Sequence, residues 1–322
     1  MPPSVTVAIP TLNAGSGFTR TLDALAAQRL EHELLVCDSG SSDGTVALAR
    51  SRGARVIEIA RTAFSHGATR NLLMSEAQGA HVAFLTQDAV PAGGDWLQAL
   101  TAGFALDPDV ALAFGPYRPR PDASPIVARE LRDWFERLSP AGEPRVDRLQ
   151  PSELALAPRQ LFGPRSYFTD ANGCVARAAW ERVPFRQIAY AEDHALAIDM
   201  LRAGYAKAYM PQAAVIHSHE YSLVGWLRRS FDEARAIDEV YGYRAPADPA
   251  TMLRNLRGNV GADWRAARAA DSRAALDTLA LSTLHHGARL VGGVFGARAR
   301  HLPEPLVRRL SLERRAGAGP GR

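Results

Sequence analysis

The sequence predicts an α/β fold in which helices cover both faces of a mainly parallel sheet, followed by a C-terminal helical extension. Short apolar segments alternate with helical patterns from the N-terminus to about Gly115, and this alternation is typical of parallel sheets. Polar residues stand directly after several of the apolar segments. Beyond residue 222 the apolar residues recur at helical spacing over three long segments.

The first part of the chain contains five predicted strands and four predicted helices. Gly53 and Gly79 stand where helix C-termini would be capped, and Asp95 stands at a helix N-terminus. The strands are predicted at 5–9, 33–37, 55–59, 82–86 and 110–114, and the helices at 18–28, 45–52, 68–78 and 95–106. Later elements are predicted as helices at 126–138 and 223–240, a strand at 213–216, and two helices within 250–298.

Composition indicates a globular protein with an uneven distribution of charge. The 322 residues are 47% hydrophobic, which supports a sizeable core, and the net charge is +4. Arginine far outnumbers acidic residues after Thr278, a pattern that suits an anionic membrane surface, although a tail without any membrane role has the same composition. We expect no nucleic-acid partner.

Two cysteines, Cys37 and Cys174, predict no disulfide framework and fit a reducing compartment. The N-terminal residues run directly into a strand pattern, and no segment has the length and apolarity of a spanning helix. We therefore expect a cytoplasmic protein, with the basic C-terminal tail as a means of contact with the inner face of the membrane.

Candidate ligand-binding residues follow three of the predicted strands. The carboxyl ends of parallel strands meet at one edge of the sheet, where nucleotides commonly bind. The capping of turns and helix N-termini explains the same residue types without a ligand. The candidates are Pro10, Thr11 and Asn13 after the first strand, Asp38, Ser39 and Gly40 after the second, and Gln87 and Asp88 after the fourth.

Five segments resemble the family 2 glycosyltransferases of the GT-A fold. They are VAIPTLN at 7–13, LLVCDSGSSDGT at 34–45, FLTQDAVP at 84–91, DANGCVARAAWERVPF at 170–185 and YAEDHALAIDMLRAGY at 190–205. The segments FSHGATRN at 64–71 and HSHEYS at 217–222 are similar to the bacterial branch that transfers rhamnose from a dTDP donor. The resemblance implies a Rossmann-like nucleotide-sugar-binding half at 1–115, an acceptor-binding and catalytic half of the same domain at 116–222, and a helical extension at 223–322.

The resemblance also implies a divalent metal site for the donor diphosphate. Asp88 matches the last acid of the family's Asp-x-Asp motif, but Thr86 stands where the first acid is expected. A site with one carboxylate would hold Mg²⁺ or Mn²⁺ mainly through water and phosphate oxygens, with help from a histidine. His217 is the candidate ligand and His219 the alternative, although a histidine at a strand end is often structural.

The predicted catalytic base is Asp193, with Glu192 beside it. By resemblance this acidic pair lies at the start of a helix, where an acid also complements the helix dipole without any catalytic role. The base accepts the proton of the acceptor hydroxyl as that hydroxyl attacks the anomeric carbon. Attack from the side opposite the leaving group predicts inversion of configuration.

Donor and acceptor contacts are predicted for a further set of residues. Thr11 and Asn13 are expected near the base and ribose, Asp38 is expected to accept the N3 proton of thymine or uracil, and Arg70 is expected to reach the diphosphate. A role for Arg70 on a helix surface is the alternative. The predicted acceptor-binding residues are Asn172, Gly173 and Tyr190.

The function that the sequence predicts is inverting, metal-dependent transfer of a sugar to a saccharide or lipid-linked saccharide during bacterial cell-surface polysaccharide synthesis. The expected donor is dTDP-rhamnose. Two alternatives remain open from sequence. A galactofuranosyl or other hexosyl transferase would use a UDP-sugar, and a non-catalytic subunit that binds nucleotide sugar or glycan would account for the missing acid at Thr86.

Overall fold

The computed structural model describes residues 4–188, 190–270 and 274–313. The chain divides into two compact units. The first consists of the residues up to Arg120 together with Arg132–His217, and the second of Pro121–Leu131 together with the residues from Ser218 onwards. Arg314, Arg315 and Arg322 of the predicted membrane-binding tail lie outside the described residues.

The strands alternate with helices through the first unit. The strands are β1 (Val5–Thr11), β2 (Glu33–Asp38), β3 (Arg55–Glu58), β4 (His81–Leu85), β5 (Val90–Pro91), β6 (Val110–Phe114), β7 (Tyr117–Arg118), β8 (Arg145–Asp147), β9 (Asn172–Ala176), β10 (Ala206–Tyr209) and β11 (Val215–Ile216). The helices are α1 (Phe18–Ala26), α2 (Thr45–Ser51), α3 (His66–Glu76), α4 (Trp96–Thr101), α5 (Pro125–Leu138), α6 (Pro158–Leu161), α7 (Arg177–Trp180), α8 (Glu192–Arg202), α9 (Leu223–Tyr241), α10 (Pro249–Ala270), α11 (Ala274–Gly296) and α12 (Glu304–Leu310).

An eight-stranded sheet forms the centre of the first unit, in the order β3-β2-β1-β4-β9-β6-β10-β8. β1 pairs in parallel with β2 and β4, and β6 pairs in parallel with β10, whereas β9 and β8 run antiparallel to their neighbours. The predicted mainly parallel α/β fold is therefore confirmed. The antiparallel strand β9 is absent from the sequence prediction, although it separates β4 from β6.

The core of this unit forms because the apolar residues of the strands and helices face one another. Val7 and Ile9 of β1 pack with Phe18 and Leu22 of α1, and all four are at most 1% exposed. Burying each such side chain stabilises the fold by about 1.5–3 kcal/mol relative to leaving it exposed. This packing fixes the strand positions, and hence the places where the loops leave the sheet.

A second, three-stranded sheet has the order β5-β11-β7. β11 runs antiparallel to β5, with Ile216 opposite Val90, and parallel to β7, with Ile216 opposite Arg118. The chain therefore enters β5 and leaves both β7 and β11 at the same end of this small sheet. Residues far apart in sequence meet at that end.

The second unit is helical, and it contains the start of α5 together with α9 to α12. α11 packs closely on α9 through two glycines. A Cβ atom at Gly292 would lie 2.0 Å from the carbonyl oxygen of Leu227, and one at Gly296 would lie 2.1 Å from that of Phe231. Any side chain at either position would force the helices apart. No helix in the described ranges is long and apolar enough to cross a membrane.

Candidate active site

The loops that follow β1 and β2 are bound to each other at the edge of the large sheet. The carboxylate of Asp38 accepts four hydrogen bonds, from the Thr11 hydroxyl, the Gly40 amide, and the Ser41 amide and hydroxyl. These bonds use the acceptor capacity of a carboxylate. The predicted contact from Asp38 to a pyrimidine base stays a prediction, and it would have to replace one of the four.

Asn13 holds the same two loops together from the other side. Its amide donates to Ser41 Oγ over 2.7 Å, and its side-chain oxygen accepts from the Ser42 amide over 2.9 Å. Its φ of 45° lies in the left-handed region, which asparagine tolerates better than most residues. Ser39 Oγ donates to the carbonyl oxygen of Thr11 over 3.0 Å. The strand-end candidates therefore form one ordered edge.

The side chain of Gln87, which follows β4, is hydrogen-bonded to the loop that follows β1. Its side-chain oxygen accepts from the Leu12 amide over 2.9 Å, and its side-chain nitrogen donates to the Leu12 carbonyl oxygen over 3.3 Å. The neighbouring Thr86 hydroxyl is buried and has no hydrogen-bond partner in the part of the chain that the structure describes. An unsatisfied buried hydroxyl is costly, so this position is suited to a bound water or ligand atom.

Asp88, Arg120 and His217 meet at one end of the three-stranded sheet. Asp88 precedes β5, Arg120 follows β7, and His217 follows β11. The Nδ1 atom of His217 lies 3.5 Å from Oδ1 of Asp88, while a guanidinium nitrogen of Arg120 lies 3.1 Å from Oδ2. His217 is fixed because its amide donates to the Arg118 carbonyl oxygen over 2.9 Å.

The carboxylate of Asp88 and the imidazole of His217 are suitable ligands for a divalent cation. A carboxylate oxygen suits both Mg²⁺ and Mn²⁺, and the imidazole nitrogen is the ligand type that Mn²⁺ accepts more readily than Mg²⁺. Asp88 is about a third exposed and His217 is almost buried, so solvent and a diphosphate can reach the carboxylate side. With Asp88 and His217 as ligands, most of the coordination sphere of a cation would be left to water and phosphate oxygens.

A buried cluster of charge lies near the start of α8. Arg70 of α3 pairs with two carboxylates: its Nε donates to Glu192 Oε1 over 2.9 Å, and it also pairs with Asp170. Nδ1 of His66 lies 3.7 Å from the same Glu192 oxygen. Burial raises the pKa of Asp170 to about 7; Arg70 opposes this increase, and Glu192 reinforces it. The predicted contact from Arg70 to diphosphate stays a prediction, and its observed partners are acidic.

Asp193 lies beside this cluster at the N-terminus of α8. Burial raises its pKa, the Asp170 carboxylate raises it further, and His194 opposes both effects. Ala191, directly before the acidic pair, has a φ of 62°. This left-handed conformation costs an alanine roughly 1–2 kcal/mol. Such local strain is often found where the fold holds functional groups in place.

Tyr117 lies near both His217 and the acidic cluster. Its ring meets that of His217 edge-on at a centroid distance of 5.1 Å, and its hydroxyl pairs with the Thr169 hydroxyl. Burial raises the pKa of Tyr117 well above its usual range, and the charges of Asp193 and Asp170 add to this effect. The ring of Tyr117 therefore contacts His217, while its hydroxyl lies within electrostatic range of Asp170 and Asp193.

The predicted acceptor-binding residues have different surroundings. Asn172 is fully buried: it donates to the carbonyl oxygens of Pro116 and Ala213 and accepts from the Trp96 indole. A Cβ atom at Gly173 would lie 2.3 Å from the Thr169 carbonyl oxygen. Those contacts are structural, and an acceptor role for either residue stays a prediction.

Tyr190 lies nearer to the acidic cluster, because its ring meets that of His66 edge-on at a centroid distance of 6.5 Å. Sequence reasoning missed Asp170, Arg120, His66 and Tyr117. Asp170 is the first residue of the family-like segment 170–185, and His66 lies in the segment 64–71. No spacing in the sequence relates either residue to Asp88 or Asp193.

Comparison with known proteins identifies the class of protein to which this fold belongs. Residues 6–160 match the profile of "Glycosyl transferase family 2". The chain is 33% identical to the O-antigen chain rhamnosyltransferase RfbN of Salmonella typhimurium, over 71% of this chain and 70% of that protein. It is 30% identical to the O-antigen chain rhamnosyltransferase WbaN of Salmonella anatum, over 71% of each.

Among solved structures, the mannosyltransferase PcManGT of Pyrobaculum calidifontis, in complex with GDP-Man and Mn²⁺, superposes with a TM-score of 0.59 at 20% identity. That match covers 92% of this chain and 87% of the other, and it shows the GT-A fold. The chain therefore belongs to glycosyl transferase family 2 and is an enzyme of that class. The predicted family and enzyme class are confirmed.

Proposed function

We propose that this enzyme transfers L-rhamnose from dTDP-rhamnose to a saccharide or lipid-linked saccharide in bacterial cell-surface polysaccharide synthesis. Two relatives of at least 30% identity are named O-antigen chain rhamnosyltransferases. The chemistry is supported by two groups near Tyr117: the Asp88–His217 pair, whose imidazole contacts the Tyr117 ring, and the buried Asp193 carboxylate, whose charge acts on the Tyr117 hydroxyl. A donor leaving group and an acceptor hydroxyl require groups of these two kinds.

Asp88 and His217 would hold Mg²⁺ or Mn²⁺. A bound divalent cation supplies neutralisation of the negative charge that grows on the leaving diphosphate. Arg120 is a second positive charge at the same carboxylate, and a guanidinium is well suited to phosphate oxygens. The loops that contain Thr11, Asn13 and Asp38 would form the nucleoside end of the site, together with Pro10, Ser39, Gly40 and Gln87.

Asp193 would act as the base. The acceptor oxygen forms a bond to the anomeric carbon, the bond from that carbon to the diphosphate oxygen breaks, and the hydroxyl proton passes to the Asp193 carboxylate. One displacement inverts the anomeric configuration. Arg70 holds Glu192 and Asp170 beside the base, and the charge of Asp170 raises the pKa of Asp193 together with burial. A raised pKa makes the carboxylate a better proton acceptor.

A lipid-linked acceptor would place the reaction at the inner face of the cytoplasmic membrane. The basic C-terminal tail remains the part of the chain that we propose for this contact, and its last nine residues lie outside the described ranges.

The experiment that tests the donor assignment compares dTDP-rhamnose with UDP-galactofuranose and UDP-hexoses. A ligand that binds only the folded protein raises its thermal stability in proportion to the logarithm of its concentration above Kd. We expect dTDP-rhamnose with Mn²⁺ to raise the melting temperature most, and to be the donor consumed in a transfer assay. Preferential stabilisation and turnover of a UDP-sugar would overturn the donor assignment.

A further inference from the structure

Two adjacent histidines and a glutamate converge in the helical unit. His285 and His286 lie on α11, and Glu130 lies in the part of α5 that belongs to the same unit. Nε2 of His285 lies 3.2 Å from Oε2 of Glu130, and Nδ1 of His286 lies 3.7 Å from Oε1. One nitrogen or oxygen atom from each residue lies within 4.8 Å of the other two. None of the three residues belongs to the donor site proposed above.

The spacing of these atoms suits a small metal ion. The 3.7 Å separation between His286 and Glu130 is too long for a direct hydrogen bond. A tetrahedral zinc ion with bonds of about 2.0–2.2 Å holds its ligand atoms roughly 3.4 Å apart. Both imidazoles are nearly buried, whereas the side chain of Glu130 is 23% exposed. Water can therefore reach a remaining coordination position from the side of the carboxylate.

His286 is held in the orientation and tautomer that metal binding requires. Its Nε2 atom lies 2.7 Å from Oδ2 of Asp263, an acid that also accepts from the Ser282 hydroxyl and pairs with Arg129. An ionised carboxylate only accepts hydrogen bonds, so Nε2 carries the proton. In the neutral imidazole the lone pair is then on Nδ1, the atom near Glu130. A carboxylate bonded to the outer nitrogen of a metal-binding histidine is a common arrangement.

The neighbouring side chains position His285 and restrict Glu130. The ring of Trp226 meets that of His285 at a centroid distance of 4.7 Å, and the two imidazole rings are nearly perpendicular, at 88°. A guanidinium nitrogen of Arg289 lies 2.6 Å from Oε1 of Glu130. Because a third of the Arg289 side chain is exposed, it can turn to solvent and release this oxygen. Arg289 is therefore a competitor for the carboxylate.

We propose that Glu130, His285 and His286 bind Zn²⁺, with water as the fourth ligand. Two imidazoles and one carboxylate are a ligand set that zinc accepts, whereas Mg²⁺ requires oxygen ligands. The ion joins α5 to α11, and the carboxylate of Asp263 extends this link to α10. Binding free energy at such a site adds to the stability of the folded state. The alternative is a network of ion pairs that is complete without a cation.

The test measures zinc binding by the full-length Asp88→Asn/His217→Ala protein, the background protein, which lacks the proposed donor-site ligands. Competition with a chromophoric chelator gives the Kd and the stoichiometry. The ligand variants add Glu130→Gln or His285→Gln to this background. Their control adds His301→Gln, which changes an exposed histidine of the same unit. Circular dichroism verifies that each protein is folded.

The background protein and the His301→Gln control should each bind one zinc ion per chain. Each ligand variant should bind zinc more than about tenfold more weakly. Arg289→Gln in the same background should bind zinc up to about fivefold more tightly, because it removes the competitor for Glu130. Zinc should raise the melting temperature of the background protein more than that of the ligand variants, and Mg²⁺ should raise neither.

Equal zinc affinity in the ligand variants and the His301→Gln control would overturn the proposal. So would the absence of zinc binding by the folded background protein. Unchanged or weaker affinity in Arg289→Gln would remove Glu130 as a ligand and overturn the three-residue site. Because Asp88 and His217 are changed in every protein tested, these outcomes do not depend on the proposed donor-site metal.

Discussion

The Nδ1 atom of His217 lies 3.5 Å from Oδ1 of Asp88, although the two residues belong to the two separate chain segments of the first unit. The three-stranded sheet is responsible, because Asp88 precedes β5 and His217 follows the antiparallel strand β11. The family's Asp-x-Asp motif has Thr86 at its first position in this chain. An imidazole next to the remaining acid would supply a second ligand type to the proposed metal site without a second carboxylate.

Loss of either member of this pair should weaken metal binding. We expect His217→Ala and Asp88→Asn each to reduce the affinity of the free enzyme for Mn²⁺ by more than about tenfold, because each removes a proposed direct ligand. The measurement is electron paramagnetic resonance of unbound Mn²⁺ during titration. His32→Ala, a histidine change elsewhere in the first unit, is the control. Unchanged Mn²⁺ affinity in both site variants would remove the pair from the metal site.

Arg120 should compete with the metal for Asp88. Its guanidinium lies 3.1 Å from Oδ2 of that carboxylate, and a partly exposed ion pair contributes about 0.2–1 kcal/mol. We therefore expect Arg120→Ala to raise the Mn²⁺ affinity of the free enzyme by up to about fivefold, while raising the KM for the donor. Arg118→Ala, two residues earlier in an exposed position, should change neither. Weaker Mn²⁺ binding by Arg120→Ala would show that the arginine supports the metal instead.

Asp170 should set the pH dependence of transfer through the base. Burial and the charge of Asp170 both raise the pKa of Asp193, and a base is active above its pKa and inactive below it. Asp170→Asn removes one of these effects, so the acid limb of the kcat/KM profile should move to lower pH. Asp199→Asn is the control, since Asp199 lies on the same helix but pairs with Arg186. An acid limb that stays in place would exclude this coupling.

Asp263 should be a main determinant of stability in the helical unit. It is 3% exposed and accepts from Ser282 over 2.5 Å, with His286 Nε2 at 2.7 Å and Arg129 as its ion-pair partner. Removing one partner of a buried ion pair costs about 3–5 kcal/mol. Asp263→Asn should therefore lower the urea midpoint of helix unfolding, followed by circular dichroism, far more than Asp277→Asn on the exposed side of α11. Equal midpoints would contradict this role.

The surroundings of Asp263 also lead us to expect that acid destabilises the fold. Burial alone would raise the pKa of Asp263, but the hydrogen bonds from His286, Ser282 and Arg129 lower it overall. A group whose pKa is lower in the folded state stabilises the protein above its unfolded pKa, which is about 3.9 for aspartate. That stabilisation is lost as pH falls through the folded-state pKa. The wild-type urea midpoint should therefore fall below about pH 4, and the midpoint of Asp263→Asn should fall less.

Much of the fold was predictable from the sequence because the apolar residues repeat with the period of each element. Val5–Thr11 and Val110–Phe114 are recognisable as buried strands from their own residues. The strand β9 was not, because it begins with Asn172 and Gly173 instead of an apolar run, and its partners β4 and β6 are distant in sequence.

Candidate site residues were predictable where they stand at a strand end, as Asp88 does, or in a segment that resembles family 2 glycosyltransferases, as Asp193 does. Arg120 and Tyr117 were not predictable, because only the pairing of β7 with β11 brings them to His217. Asn172 is a predicted site residue whose observed contacts are structural. Its residue type suits acceptor binding, but its three hydrogen bonds to Trp96, Pro116 and Ala213 could not be read from sequence.

The catalytic role of Asp193 is tested by measuring sugar transfer by Asp193→Asn with dTDP-rhamnose and Mn²⁺, alongside donor binding by the same variant. Asparagine preserves the shape of the side chain but cannot accept the acceptor proton. We predict a loss of about 10²–10⁴-fold in kcat, with donor-induced thermal stabilisation equal to that of the wild type. Turnover at the wild-type rate would contradict the role of Asp193 and the inverting mechanism built on it.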